Sequence, residues 1–550
     1  MKMKLELTWP GKDERPRLEP RILLEHPERG HHATARRDGD LFDNMLIKGD
    51  NLLALKALEQ DYAGKVKCVF IDPPYNTGSA FEHYDDGLEH SIWLSLIRDR
   101  LELLKRLLAE DGSLWVTLDD NEAHYFKVLC DEVFGRKQFV ANVVWQKRYA
   151  PDARIAISDA HEHLFCYAID KAAFSKTRNL VALTEAQTKQ FKNPDNDPKG
   201  PWKADNFTAA GFRPNQMYEI TLPSGRVVTP PEGRCWRVTK DRFEAWQAAG
   251  LMTYGAGGDN APAVKRYLSD MEGMVPWTWW GHTDAGHSQE GKHESQALFG
   301  RDNAFATPKP ERLLQRILNI ATNPGDIVLD SFAGSGTTGA VAHKMGRRWI
   351  MAEVGDHADT HIVPRLTKVI DGEDQGGVTK AVGWEGGGGF RYYTLAPSLL
   401  ERDAYDNWVI APEYNGPMLA QAMCKHLGFT YDPAQSGDND ERDAEWWRHG
   451  RSSERDFLYV TTQALTQDAL RLLSEDVGPE RSLLICARAF SGNIDAFENL
   501  TCRKIPASIL SKCEWGRDDY SLNIAALSER EAADDAPNAG PLFAGEPANG

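Results

Sequence analysis

The chain is poor in several features, and each shortage removes a class of function. No apolar run approaches the ~20 residues needed to span a bilayer. Met1-Lys2-Met3-Lys4 leads into Glu, Trp and Pro rather than an apolar core, so no secretory leader is expected. The eight cysteines are scattered without a Cys-x-x-Cys pair, which argues against a disulfide framework and predicts reduced thiols in a cytoplasm. No Gly-x-x-x-x-Gly-Lys-[Ser/Thr] loop is present, so no ATP-driven motor is expected on this chain, and no nuclease constellation is evident. His282, His287 and His293 lie near one another in sequence, but they read as solvated loop residues, and no metal is expected.

Positive charge is also scarce: 64 Lys and Arg face 81 Asp and Glu, a net charge of −17. That balance disfavours non-specific attraction to a polyanion, yet it is uneven. Acid concentrates beyond Asp356, at 371–374, 438–445 and 529–535, whereas Lys147, Arg148, Arg154, Lys171, Lys176 and Arg178 interleave with Trp145, Tyr149 and Phe174. An acidic protein can carry a positive cleft, and a solvated basic surface is the alternative.

What the chain does have begins with Asp72-Pro73-Pro74-Tyr75, placed directly after the largely apolar run Val66 to Ile71. An exocyclic amino group on a nucleobase is a poor nucleophile, because its lone pair is delocalised into the ring. Two acceptors are needed to hold its hydrogens. The Asp72 carboxylate and the Pro73 carbonyl supply them, with the prolines fixing φ, and Tyr75 offers a ring on which an extruded base can stack. The same residues also fit a strand ending in a proline turn beside a packed tyrosine.

A second motif narrows the choice. Ile327 to Asp330 reads as a buried strand, followed by the loop Ser331 to Gly339 and a helical pattern through Met345. Gly334 and Gly336 permit a tight turn and close approach of a ligand to the backbone, next to a helix N-terminus that favours a carboxylate or phosphate. Arg348 to Ala352 predicts the next strand, ending in Glu353, where a ribose diol would bind. Gly334, Gly336 and Gly339 satisfy a dinucleotide fingerprint as well, so a nicotinamide cofactor competes at this point.

Together the two motifs resemble the amino-methyltransferase family of DNA-modifying enzymes, in the permuted arrangement where the catalytic motif comes first. The closest likeness is to modification subunits of type III restriction-modification systems. Met45 to Asn51, Phe70 to Gly78, Asp119-Asp120-Asn121-Glu122 and Lys309-Pro310-Glu311 follow that family's order, and the likeness covers Phe42 to Leu395. It implies an α/β fold: a Rossmann-like, circularly permuted sheet that binds S-adenosylmethionine, with an inserted target-recognition domain and a C-terminal α+β region. It further implies that Asp72, Pro73, Pro74 and Tyr75 hold the base, and that the cofactor lies along Asp330, Phe332, Gly334 and Gly336. Glu353 would meet its ribose, Asp50 its adenine and Lys309 its carboxylate. Asp rather than Ser before Pro73 tilts the likeness toward adenine N6 over cytosine N4. No cysteine follows a proline, which removes the nucleophile expected for methylation at cytosine carbon 5. Double-stranded DNA, a second copy of the chain and a separate ATP-dependent restriction subunit are the implied partners. A DNA-recognition subunit without turnover is the rival outside enzymes, and the intact Asp72–Tyr75 motif speaks against it.

Along the chain, 1–41 reads as an extended arm with little core of its own, 42–169 as the catalytic half of a parallel α/β sheet and 307–396 as the cofactor half. Asp50, Asp72, Asp119, Asp330 and Glu353 each follow a predicted strand, where such sheets bind ligands. Between the halves, 170–306 changes to short segments rich in Pro, Gly, Asn and Trp, the texture of a recognition domain. Arg213, Asn215 and Gln216 are its candidate readers of base edges, with Lys147 and Arg148 as candidate DNA contacts. Trp277, Trp279 and Trp280 are expected in its core. Phe390 to Leu395 predicts a strand in a hairpin closing the sheet, 397–527 a further α+β unit and 528–550 a disordered tail.

Overall fold

The computed structural model describes residues 5–75, 90–151, 156–434, 445–505 and 507–520. The expectations for residues 76–78, Arg154, 438–444 and the tail 528–550 fall outside them. Two compact units emerge, Asn179–Pro276 and the remainder of the chain.

The larger unit is built on an eleven-stranded sheet. In chain order its strands are β1 (Leu23–Glu25), β2 (His31–His32), β3 (Asn44–Lys48), β4 (Val66–Ile71), β5 (Leu108–Leu118), β6 (Phe139–Gln146), β7 (His161–Ala168), β8 (Trp279–Trp280), β9 (Ile327–Asp330), β10 (Arg348–Glu353) and β11 (Gly389–Leu395). Their spatial order is β1-β11-β3-β10-β9-β4-β5-β7-β6-β8, with β2 alongside β11. From β11 to β5 the pairings are parallel. These strands are nearly continuous apolar runs, as burial on both faces demands: in β4 only Lys67 is not buried, and all four residues of β9 are.

The expected all-parallel sheet is corrected beyond β5, because β7 runs antiparallel to both β5 and β6. The sheet is mixed. Nor does β11 form the expected hairpin; it runs parallel to β3 and is flanked by the antiparallel β1 and β2. The N-terminal arm is likewise built into the fold. Trp9 is buried and donates from Nε1 to Ser95 Oγ at 2.8 Å, and Ile22 is fully enclosed.

The strand order decides where a ligand can sit. From β4 the chain passes through the helix His90–Leu107 to β5 on one side, and from β9 through the helix Thr337–Lys344 to β10 on the other. At adjacent strands whose connections diverge, the loops beyond their carboxyl ends part and leave a crevice. Those loops are the Asp72–Tyr75 turn and the glycine loop. Val69 pairs with Leu329, so the two motifs emerge at nearly the same level.

After β11 the chain builds a five-stranded sheet from Thr430–Tyr431, Gly450–Arg451, Asp456–Thr466, Ser482–Ser491 and Leu500–Lys504, packed with the helices Gly416–Leu427 and Gln467–Val477. The smaller unit, narrower than the 170–306 read from composition, encloses a core of Phe207, Ile220, Leu222, Trp236 and Phe243. The tryptophan cluster does not belong to it. Trp279 and Trp280 form β8 of the large sheet; Trp280 is buried and stacks on Trp115, while Trp277 and Trp279 are 63% and 55% exposed, against the expectation that all three are core. Among the described residues no helix is long and apolar enough to cross a membrane.

Candidate active site

At the end of β4 the Pro-Pro turn is pinned by Trp93, whose indole Nε1 donates to the Pro74 carbonyl at 2.8 Å. The turn returns Tyr75 toward Asp72. Asp72 Oδ1 accepts from the Tyr75 hydroxyl at 2.7 Å and from Thr117 Oγ1 at 2.5 Å, while Oδ2 accepts from Lys309 Nζ at 2.7 Å. Glu162, on β7, brings a second carboxylate: its Oε2 lies 2.9 Å from the Tyr75 hydroxyl and 3.7 Å from Lys309 Nζ. Lys147 Nζ stands 3.5 Å from Glu162 Oε1 and 3.1 Å from Asp159.

Electrostatics fixes the protonation of this group. Burial drives the Tyr75 phenol well above its ordinary range, and the Asp72 and Glu162 carboxylates push it further, so Tyr75 stays neutral. Burial alone would lower the Lys309 pKa, but those two carboxylates override it and the net shift is upward. Lys309 is therefore a lasting cation between two carboxylates. Its ammonium also lies 5.0 Å over the Tyr75 ring.

The glycine loop is organised by acids at the ends of β9 and β10. Asp330 Oδ1 accepts from Phe332 N at 2.9 Å and Oδ2 from Thr338 Oγ1 at 2.5 Å, closing the turn. Burial pushes the Asp330 carboxyl up to about 7 despite these bonds. Gly336 has φ +73°, and a Cβ there would meet Ile362 Cγ2 at 3.1 Å, so this position needs glycine on both counts.

Three residues expected at the cofactor have other partners. Glu353 Oε2 accepts from Gly334 N at 2.8 Å and Oε1 from Gly355 N at 2.9 Å; the acid read as a ribose ligand here holds the glycine loop. Asp50 caps the helix Asn51–Tyr62 through Leu52 N and Leu53 N, and its other oxygen accepts from Tyr520 N at 3.0 Å. Lys309, expected at a cofactor carboxylate, is paired with Asp72.

A cavity of about 1790 Å³ joins the two motifs. Asp72 to Tyr75, Glu162, Lys309, Asp330, Phe332 and Gly334 line it, together with Lys147, Arg148, Asp119 and Phe305; Asp50, Gly336 and Glu353 are not on its wall. It exceeds the roughly 300–1000 Å³ of single-ligand pockets and has room for a nucleoside cofactor beside an extruded base. The loop fits such a cofactor: Gly334 is on the cavity wall, where a Cβ would stand only 3.5 Å from the Phe305 ring, and nearby Ser331 Oγ is buried with no hydrogen-bond partner among the described residues. Arg213, Asn215 and Gln216 lie in the smaller unit, the first two exposed and Gln216 half-buried, with Arg213 Nη1 3.2 Å from Gln216 Oε1. His282 shares a hydrogen bond with Gln146, His287 is on the cavity wall, and His293 is exposed.

Thr117 and Glu162 are functional candidates that the sequence reading missed. The sequence signal for Glu162 was a single acid at the start of a strand that is otherwise apolar from Leu164 to Ala168.

Comparison with known proteins agrees with this geometry. The N6/N4 DNA methylase family model matches residues 66–362, from β4 through the glycine loop and beyond β10. The probable type III restriction-modification enzyme HindVI Mod subunit of Haemophilus influenzae is 33% identical over 427 residues, covering 66% of this chain and 55% of its own. The type III StyLTI Mod subunit of Salmonella typhimurium is 31% identical over 356 residues, covering 58% and 52%. The chain thus spans about half the length of these curated relatives. Among solved structures the PvuII DNA methyltransferase (cytosine-N4-specific) matches at 15% identity over 60% of this chain and 89% of its own, with a TM-score of 0.32, too loose to argue from. With the Asp72–Tyr75 turn and the glycine loop meeting in one cavity inside the matched span, the chain belongs to the N6/N4 DNA methylase family.

Proposed function

We propose that this chain transfers a methyl group from S-adenosylmethionine to N6 of an adenine flipped out of double-stranded DNA, as the modification subunit of a type III-like restriction-modification system. The observation that carries the reading is the meeting of Asp72 and Tyr75 with the glycine loop in one cavity. The fold enters as a permuted methyltransferase sheet, in which the catalytic strand β4 precedes its neighbour β9 in sequence.

When bound, the cofactor supplies an electrophilic methyl group on a sulfonium. The chain's own residues prepare the amine. Asp72 and the Pro73 carbonyl accept its two hydrogens and localise the lone pair, and the carboxylate complements the positive charge that grows on nitrogen; this is preorganised electrostatics rather than strong base catalysis. Tyr75 supplies the stacking face. In the free protein Lys309 holds a place resembling that of the amine, a cationic nitrogen bonded to Asp72 and lying over the Tyr75 ring. On base entry it yields Asp72 and turns to Glu162, so that the cavity keeps its charge balance. Lys147 and Arg148, both paired with Asp159 on the cavity wall in the free protein, exchange that carboxylate for phosphates of the entering strand. Adenine is favoured over cytosine by Asp72 at the first motif position and by the likeness to type III Mod subunits.

The test is methyl transfer by the purified chain to duplex DNA from labelled S-adenosylmethionine, followed by single-base mapping of the product. N6-methyladenine at a defined site, formed without ATP, is expected. N4-methylcytosine would overturn the base assignment, and strict dependence on a nicotinamide cofactor with no methylated DNA would overturn the class. The large accessory region after Leu395 and the family likeness further support a homodimer; light scattering that finds only monomer, free and on DNA carrying its site, would refute that.

A further inference from the structure

Strand β7 carries two different chemistries on its two faces. Glu162 lines the cavity, so by the alternation of a strand His161 and His163 stand on the opposite face. There they meet Asp120, from the turn that follows β5. One ligand atom from each of Asp120, His161 and His163 lies within 4.8 Å of the other two, and His163 Nε2 is 2.8 Å from Asp120 Oδ1. His124 Nε2 lies 4.0 Å from the same oxygen.

A second observation comes from Asn142 on the neighbouring strand β6. Its Nδ2 sits 3.0 Å from His163 Nδ1, while its Oδ1 is buried with no hydrogen-bond partner among the described residues. Rotating the amide by a half-turn gives that oxygen a partner, the Nδ1–H of His163. The Nε2 lone pair then faces the Asp120 carboxylate, an arrangement that is repulsive until a cation lies between them. An imidazole whose far nitrogen donates to a buried carbonyl is the arrangement that holds histidine as a metal ligand. A proton on His163 would satisfy that one contact. It would not explain three imidazoles gathered about one carboxylate, since protonating more than one of them within this space sets like charges together; one divalent ion satisfies all of them.

We propose that Asp120, His161 and His163, with Asn142 orienting His163 and His124 as a fourth ligand, bind one divalent transition cation of the zinc, cobalt or nickel class. The N and O donors suit these borderline ions over magnesium or calcium, which take oxygen ligands. With metal–ligand bonds of 2.0–2.2 Å, a tetrahedral site sets its donors about 3.4 Å apart, so the observed spacing needs only side-chain adjustment. The ion lies on the sheet face away from the cavity and takes no part in methyl transfer. It ties the turn after β5 to the strand that presents Glu162.

The full chain, stripped with a chelator and dialysed, is titrated with Zn²⁺ by calorimetry and with Co²⁺ by visible absorption, with melting temperature followed alongside. One equivalent of Zn²⁺ that raises the melting temperature is expected, with Co²⁺ bands of a low-symmetry N/O site. The H161Q/H163Q double variant should lose at least a hundredfold in affinity, and Asn142→Leu about ten- to a hundredfold. Should the double variant fail to fold, His163→Gln alone and Asn142→Leu carry the same comparison. Equal Zn²⁺ affinity in the parental chain and these variants would overturn the proposal, as would absence of binding. A stabilisation that appears on acidification without metal and is unchanged by Zn²⁺ would assign the cluster to a proton and overturn it too.

Discussion

Lys309 donates to Asp72 Oδ2 at 2.7 Å although 237 residues separate the two in sequence. The pair joins the Asp72–Tyr75 turn after β4 to the segment that leads into the helix Glu311–Ala321, and a second carboxylate, Glu162, stands 3.7 Å from the same ammonium. Charge in this part of the cavity is arranged around Lys309, not around the cofactor loop.

Lys309→Met tests that arrangement. The pair is only part-buried, and Asp72 keeps Tyr75 and Thr117 as donors, so removing the ammonium costs less than the roughly 3–5 kcal/mol of a fully buried pair, and a lowered melting temperature is expected. Cofactor affinity measured by calorimetry should change by less than about threefold, or ~0.7 kcal/mol, if Lys309 serves Asp72. A loss of tenfold or more in that affinity would instead return Lys309 to the cofactor carboxylate.

Asp330 predicts a pH dependence. Its carboxyl is raised from 3.8 to about 7 in the fold, chiefly by burial. Between these values the folded state holds a proton that the unfolded state has released, so stability falls as pH rises from about 4 to about 7 and levels off above. Asp330→Asn keeps acceptor and shape while removing the titration. Its stability relative to the parental chain should therefore rise with pH across this window, with an upper bound on the order of 4 kcal/mol. A constant difference in urea-unfolding free energy from pH 4 to 8 would show that Asp330 does not titrate there.

Much of the candidate site's geometry was legible because it is local. A strand, two prolines and an aromatic, or a strand, two glycines and a helix start, carry their geometry within about a dozen residues, and β4 and β9 announce themselves as largely apolar runs. Direction was not legible. Val143 to Trp145 and Leu164 to Ala168 have strand composition in either orientation, so the antiparallel β6 and β7 looked like more of a parallel sheet. Glu162 was missed for the same reason: only the register of β7 against β5 puts that side chain in the cavity. The partners of Asp50 and Glu353 depend on backbone groups that residue type does not specify. Tyr520 N, which bonds Asp50, lies 470 residues away.

Glu353→Ala removes the acceptor for Gly334 N and Gly355 N and so loosens the glycine loop. Cofactor binding should weaken by about 1.5–3 kcal/mol, roughly ten- to a hundredfold, whether the carboxylate acts on the loop or on the ribose. The two roles part in the cofactor-free protein. A lowered melting temperature without cofactor marks the loop role seen in the structure, and an unchanged one marks a ligand role. Unchanged affinity in calorimetry would remove Glu353 from the site.

Asp72→Ala separates chemistry from binding. Tyr75 remains to stack and the glycine loop remains to hold cofactor, so DNA and S-adenosylmethionine should both still bind. What is lost is the acceptor that aims the amino lone pair, an interaction that strengthens as positive charge grows on nitrogen. The loss should therefore appear in turnover, and removing one such preorganised group typically costs about 10² to 10³ in rate. Lys309 and Thr117 lose their common partner as well, so a moderate fall in melting temperature accompanies it. An acid that only closed a turn would give that thermal effect while the folded fraction stayed active. Single-turnover methylation measured beside the melting temperature distinguishes the two. Near-parental rate in folded Asp72→Ala would remove Asp72 from catalysis and, with it, the reading of this cavity as the place where the base is methylated.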